Sequence, residues 1–249
     1  MNRLIAIENI RNKINQGGYS IGSWMQIPHS SIAEIMGQSG FDWVAIDMEH
    51  GSVGISQLPD LFRAIELGGT LPLARLAEGV PKDCKQALDA GAGGVIVPMI
   101  ESADQLEAVK SACRWPPSGN RGIGYSRANL YGKNFDEYYV EAQAPLLVAM
   151  IEHVRAVENL GEIASVEGLD AILIGPYDLS ASMGIPGQFT NPEFTSMMDR
   201  IKNVIMLSPT VAGLHIIEPH RNQVEQRLQE GFRFLAYSVD ALMLRSGSE

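Results

Sequence analysis

The chain has 249 residues, 45% of them hydrophobic and 19% charged. That apolar share supports a packed core and excludes a disordered chain. With 19 basic against 29 acidic residues, the net charge of −10 argues against a surface that neutralises nucleic-acid phosphates.

Two cysteines, Cys84 and Cys113, are too few for a disulfide framework and suit a reducing cytoplasm. No run approaches the roughly 20 apolar residues that span a bilayer. The N-terminal MNRLIAIENIRNKINQGG has no continuous apolar stretch and no small-residue cleavage site, so no signal peptide is expected. The expectation is a cytoplasmic protein with no membrane or nucleic-acid partner.

In chain order, residues 1–16 read as a helix with Leu4, Ile7, Ile10 and Ile14 on one face, placed to cap a barrel from below. Eight short apolar runs follow: Ser20–Ile27, Trp43–Glu49, Leu71–Leu76, Gly93–Ile100, Leu146–Glu152, Ala171–Gly175, Thr210–Ile217 and Phe232–Ser238. Each is apolar on both faces, which suits a parallel sheet buried on both sides. Between them lie helical stretches at Ser30–Ser39, Ser56–Leu67, Pro81–Ala90, Ala103–Cys113, Val154–Val166, Pro192–Leu207 and His220–Gln229. Pro81 and Pro192 sit at first-turn positions. Gly40, Gly68, Gly91, Gly168 and Gly231 fall where helices stop.

Eight strand–helix units in this length predict one (β/α)8 TIM barrel over residues 1–249. A doubly wound open sheet is the alternative, but no Gly-x-Gly-x-x-Gly follows the first strand. Trp115–Ala144 breaks the rhythm as a long excursion. Arg121 and Arg127 within it either attract an acidic or phosphorylated tail or fix the loop, and the second role is favoured. The chain stops at ALMLRSGSE, which leaves little room for a full terminal helix.

In such a barrel, reactive groups belong at the C-terminal strand ends. The second strand ends in IDMEHG. Asp47 would orient His50, which would act as a general base; the pair would equally serve to satisfy loop backbone. Arg75 ends the third strand and needs an anionic or carbonyl partner, whether substrate or a buried salt bridge. Met150 and Glu152 share one face of the fifth strand, and Asp178 lies just past the sixth. Two carboxylates in one mouth share a proton or hold a hard cation, for which Mg2+ fits; unrelated loop acids are the bland alternative. Gly175 and Pro176 make a tight turn, and the amides after them form a possible anion nest.

Other candidates are weaker. Cys84 reads as inert, His29 as structural, and the spacing of His215 and Glu218 fits no particular chemistry. None of the six lysines lies in an apolar run. Carbonyl chemistry here would therefore use a metal and not an imine.

Taken together, GSWMQIPHSSIAEIMGQSGFDWVAIDMEHG, PLARLAEG, GAGGVIVPMIES, GNRGIGYSRANLYG, MIEH and IGPYDLSASMG resemble the HpcH/HpaI aldolase family of metal-dependent pyruvate aldolases. The likeness runs in order from about residue 20 to residue 185, with a weaker echo in AGLHIIEP and FRFLAYSVD. It implies a (β/α)8 barrel and reversible cleavage of a 4-hydroxy-2-oxo acid or 2-keto-3-deoxy sugar acid to pyruvate and an aldehyde. It implies a divalent metal on Glu152 and Asp178, Mg2+ or Mn2+ foremost, with Co2+, Ni2+ or Zn2+ as further candidates. It assigns base function to His50 with Asp47, contact with the keto oxygen to Arg75, and carboxylate binding to the backbone at Gly175, Pro176, Tyr177 and Asp178. It also implies a homo-oligomer, trimer or hexamer, often with an exchanged C-terminal helix. Met150 departs from the family's usual Gln.

Aldehyde specificity is expected from the loops, including Arg121–Gly132, and from a neighbouring subunit. Three other readings stay open: an acyl-CoA lyase of the citrate-lyase-beta type, a phosphoenolpyruvate-type mutase, and a non-catalytic barrel that binds a keto acid.

Overall fold

The structure is a computed structural model that describes all 249 residues. Its elements are α1 (Arg3–Asn15), β1 (Ser20–Met25), α2 (Ser30–Gly37), β2 (Trp43–Asp47), α3 (Leu58–Leu67) and β3 (Leu71–Arg75). Next come α4 (Pro81–Asp89), β4 (Gly94–Val97), α5 (Ala103–Cys113), α6 (Phe135–Glu141), β5 (Leu146–Ile151), α7 (Val154–Glu158) and α8 (Leu160–Ala164). The chain finishes with β6 (Ala171–Ile174), α9 (Pro176–Ser182), α10 (Pro192–Met206), β7 (Val211–Ile216), α11 (Arg221–Gln229), β8 (Phe234–Val239) and α12 (Asp240–Ser248). The strands are parallel and pair in sequence order, and β8 returns to β1, closing the barrel. No helix is long and apolar enough to cross a membrane.

Continuous apolar runs follow from two buried faces. Trp43, Ala45, Leu73, Val148, Met150 and Leu173 fill the barrel interior. Their sequence neighbours Val44, Ile46, Ala74, Leu147, Ala149 and Ile172 pack outward against the helices. Near the floor Trp43 stacks on Phe234, centroids 4.9 Å apart. Gly22 lies in register with Trp43, and a Cβ there would sit 2.0 Å from the indole. The ring therefore needs a glycine opposite it.

The expected N-terminal helix forms. Ile7 and Ile10 join the interior cluster and close the barrel at its N-terminal end. Arg11 fixes the helix there through Asp170, Nε to Oδ1 at 2.6 Å.

Several boundaries differ from expectation, each with a local cause. The fourth strand stops at Val97, because Pro98 has no N–H and Met99 turns left-handed at φ 53°. The Val154–Val166 helix breaks at Asn159, whose amide donates to the Glu101 carbonyl at 2.8 Å. A terminal helix does fit. Asp240 opens α12 and accepts from the N–H groups of Gln26 and Ile27, both at 2.9 Å, tying it to the end of β1.

The excursion carries its own small core of Trp115, Ala128, Tyr138 and Ala142. Arg127 pairs with Glu66 and donates to the Ala90 carbonyl. Arg121 donates to Tyr138 and Asp89. Arg3 of α1 donates to the Ala128 carbonyl at 2.6 Å. These partners lie at the N-terminal end of the barrel. Within one chain, then, Arg121–Gly132 does not line the mouth, contrary to the expectation that it shapes aldehyde specificity there.

Candidate active site

The apolar interior ends abruptly at the C-terminal rim. There the inward positions become Asp47, Arg75, Glu152 and His215. Asp47 and Arg75 are in register on adjacent strands. Arg75 donates Nε to Asp47 Oδ1 at 2.9 Å and Nη2 to Oδ2 at 2.6 Å. Its Nη1 lies 3.2 Å from Glu49 Oε2, and its guanidinium carbon is 4.6 Å from the centre of the Trp24 ring. Both faces of the question posed by a strand-end arginine are thus answered by a bidentate carboxylate and an aromatic ring.

Asp47 is wholly buried. It also accepts from Gln26 Nε2 at 2.8 Å and from the N–H groups of Glu49 and His50 at 3.1 and 3.0 Å. Burial alone would raise its carboxyl. Arg75, Gln26 and the His50 N–H together hold it below the ordinary value.

One expectation needs correction here. Asp47 holds the backbone of His50, not its ring. The turn after β2 folds so that the carboxylate caps two successive amides, and the imidazole swings outward. It is 57% exposed, with Nε2 3.8 Å from Glu49 Oε2. Asp47 therefore fixes where His50 sits without setting its tautomer.

Glu152 is 2% exposed and follows directly after β5. Its Oε2 accepts from the Met99 N–H at 2.9 Å, so the left-handed turn at Met99 supplies the one fixed donor. Gly175 makes room for the other oxygen, since a Cβ there would lie 2.7 Å from Oε1. Burial, then the charges of Glu49 and Asp178, push the Glu152 carboxyl up to about 7, against the pull of Met99 and Arg75. Met150, two residues earlier and inward, belongs to the apolar interior.

Asp178 stands exposed in the first turn of α9, after half-buried Pro176 and exposed Tyr177. Tyr177 packs edge-on against Phe189 at 4.9 Å. Glu49 is half-buried, and its carboxyl is raised by burial, with further upward pressure from Asp47 and Asp178. Three carboxylates, Glu49, Glu152 and Asp178, thus act on one another at a mouth where Arg75 is shared between Asp47 and Glu49.

No group of three or more ligating side chains closes on a common point. The donor set nevertheless fits a hard divalent cation. Glu152 and Asp178 offer oxygen only, and the mutual repulsion that helps raise the Glu152 carboxyl would be relieved by positive charge.

His215 was not singled out by its spacing. The signal was parity: two residues after Gly213, it is the next inward position of β7. Its ring lies edge-on to Trp24 at 5.8 Å. A cleft of about 460 Å3 lies on the outer side of β7, lined by Leu214 and Ile216 and by Met198 and Lys202 of α10 and Arg227 of α11, and none of Asp47, Arg75, Glu152 and Asp178 borders it. The remaining candidates are structural. His29 caps α2, its Nδ1 accepting from Ser31 at 3.2 Å. Cys84 and Cys113 are both buried and free. Glu218 lies on the surface, 3.9 Å from Arg245.

A closed (β/α)8 barrel with Asp47, Arg75 and Glu152 gathered at its C-terminal mouth has the architecture of a barrel enzyme. The HpcH/HpaI aldolase/citrate lyase family model matches residues 20–246, and the chain belongs to that family. It is 35% identical over 242 residues to the hydroxypyruvate/pyruvate aldolase of Roseobacter denitrificans, spanning 96% of this chain and 93% of that one. It is 35% identical over 246 residues to the 2-keto-3-deoxy-L-rhamnonate aldolase of Shigella boydii, spanning 98% and 91%. A crystal structure of an HpcH/HpaI aldolase/citrate lyase family protein from Burkholderia cenocepacia superposes with a TM-score of 0.89 at 28% identity, over 100% of this chain and 96% of that one.

Proposed function

We propose that this protein is a divalent-cation-dependent aldolase that reversibly cleaves a 4-hydroxy-2-oxo acid or 2-keto-3-deoxy sugar acid to pyruvate and an aldehyde, through a pyruvate enolate. The observation that carries the reading is the juxtaposition at the mouth of Arg75, locked on Asp47, with buried Glu152. The two named aldolase relatives support it.

Glu152 and Asp178 would hold a divalent cation, Mg2+ or Mn2+ foremost, which would supply Lewis acidity to the oxo-acid carbonyl. Arg75 brings a fixed positive charge to the oxygen where enolate charge develops. The N–H groups of Tyr177 and Asp178, in the first turn of α9 without intrahelical acceptors, take the substrate carboxylate beside Gly175 and Pro176. His50 takes the C4 hydroxyl proton as the C3–C4 bond breaks, and its electrons pass into the enolate. Asp47 positions both partners, Arg75 by its side chain and His50 by its backbone. The reading takes residues 1–249 as one catalytic domain. A homo-oligomer follows from the family resemblance, and a cytoplasmic setting suits the two free cysteines.

Proton NMR of pyruvate in D2O tests the enolate half without knowledge of the aldehyde. The expected result is loss of the methyl signal with Mg2+ or Mn2+, stopped by EDTA and absent in Glu152→Ala. Failure to exchange pyruvate and to join it to any aldehyde, with every divalent ion tried, overturns the reading and turns attention to acyl-CoA cleavage.

A further inference from the structure

The two oxygens of Asp47 are held unequally. Oδ1 accepts from three donors, Arg75 Nε and the N–H groups of Glu49 and His50. Oδ2 accepts from two, Arg75 Nη2 at 2.6 Å and Gln26 Nε2 at 2.8 Å. Oδ1 is therefore the pivot, and Gln26 is the one group besides Arg75 that keeps the carboxylate from turning about it. A carboxylate that turns takes the bound guanidinium with it.

Gln26 is the first residue past β1 and is half-buried. So long a side chain loses considerable rotamer freedom when it is ordered, and its backbone is pinned to offset that. The Gln26 N–H donates to Asp240 Oδ1 and the Ile27 N–H to Asp240 Oδ2, both at 2.9 Å. Asp240 Oδ1 also accepts from the Ala241 N–H at 2.8 Å, in the first turn of α12. Asp240 is itself buried, so water competes little for these bonds. One residue thus joins the start of α12, through its backbone, to the Arg75 clasp, through its side chain.

We propose that Gln26 is a positioning residue for Arg75, held in turn by Asp240, so that the seat of α12 sets how squarely the guanidinium meets the developing enolate. The assignment rests on the aldolase reading given above. Gln26 touches no reacting atom and acts through Asp47.

Oxalate, a planar mimic of the pyruvate enolate, reports on that charge without turnover. Its affinity and that of pyruvate are measured on the Mn2+-loaded protein by calorimetry, whose stoichiometry counts folded sites, alongside pyruvate methyl exchange. Gln26→Met keeps the length and removes the donor. It is expected to weaken oxalate by about 10- to 100-fold and to slow exchange by a similar factor, as for a group displaced by about 1 Å. Pyruvate affinity and stoichiometry should stay near wild type, because the lost interaction belongs to the enolate and not to the ground state. Asp240→Asn, which keeps one acceptor oxygen, is expected to show a smaller loss of the same kind. Added to Gln26→Met it should bring no further loss, since both act through one residue. Equal weakening of oxalate and pyruvate means a packing role only and overturns the proposal, as does no change in either. Losses that multiply in the double variant overturn the link to α12. Wild-type protein that neither exchanges pyruvate nor binds oxalate removes the aldolase reading and this assignment with it. Wild-type exchange together with an unchanged oxalate-to-pyruvate ratio in Gln26→Met removes Gln26 alone.

Discussion

Arg75 and Asp47 form a two-point clasp across adjacent strands, Nε to Oδ1 at 2.9 Å and Nη2 to Oδ2 at 2.6 Å. The clasp is dry, since Asp47 has no exposed surface and Arg75 has 9%. Removing one member leaves the other charged and buried.

Asp47→Asn is therefore expected to destabilise the fold by about 3–5 kcal/mol. At roughly 2–4 °C per kcal/mol for a chain of this size, the melting temperature should fall by about 10 °C. Arg75→Lys should lose pyruvate exchange even if it folds, because an ammonium cannot reproduce the fork. Thermal melts and exchange rates on the two variants check this; wild-type values in both would refute it.

Glu152 gives the metal-free protein a pH dependence of known sign. Its carboxyl sits near 7 in the fold against an ordinary 4.5, so the folded state binds the proton more tightly than the unfolded one. That contribution is full below about pH 4.5 and is lost as pH rises through about 7. His215, lowered from 6.5 to about 4, acts oppositely: its contribution is lost as pH falls from about 6.5. Melts in EDTA should show Glu152→Gln flattening the decline toward pH 8, with added Mn2+ stabilising wild type more than the variant. A variant that keeps the full decline would rule out Glu152 as its source.

Gly175→Ala isolates the space beside Glu152. The glycine has an ordinary φ of −98°, so alanine brings no backbone strain, only a Cβ 2.7 Å from Oε1. Mn2+ affinity by calorimetry should fall at least about tenfold while the melt stays within a few degrees, the usual range for a tolerated small change. Unaltered affinity would show that this oxygen does not face the ion.

His50→Ala should lose about 100- to 10,000-fold in oxo-acid cleavage, the usual range for a positioned acid–base group. It should still bind Mn2+, since its exposed ring holds neither Glu152 nor Asp178. Full cleavage activity in the variant would remove His50 from the reaction.

The barrel was legible because a strand buried on both faces leaves an unbroken apolar run, and eight such runs are hard to place otherwise. Strand parity also put Glu152 at the mouth, and the end of the third strand put Arg75 there. The contact between Asp47 and the Arg75 side chain was less accessible. Spacing brings Asp47 and His50 together but does not distinguish a ring from an amide, and the turn chose the amide. The loop-fixing role favoured for Arg121 and Arg127 holds, but which end of the barrel the excursion reaches was not legible, because its anchors, Trp115, Tyr138 and Ala128, are spread along the chain with no period. His215 was readable from its parity with Gly213. Spacing to other polar residues was the wrong question to ask of it.

With Ile7 and Ile10 of α1 plugging one end of the barrel, traffic has a single doorway. An oxo-acid fragment seated on Arg75 and Glu152, both buried, then lies deeper in that doorway than the aldehyde fragment. Cleavage products must leave in stacking order, aldehyde first and pyruvate last. Pyruvate should accordingly inhibit cleavage competitively against the oxo acid, and the aldehyde non-competitively.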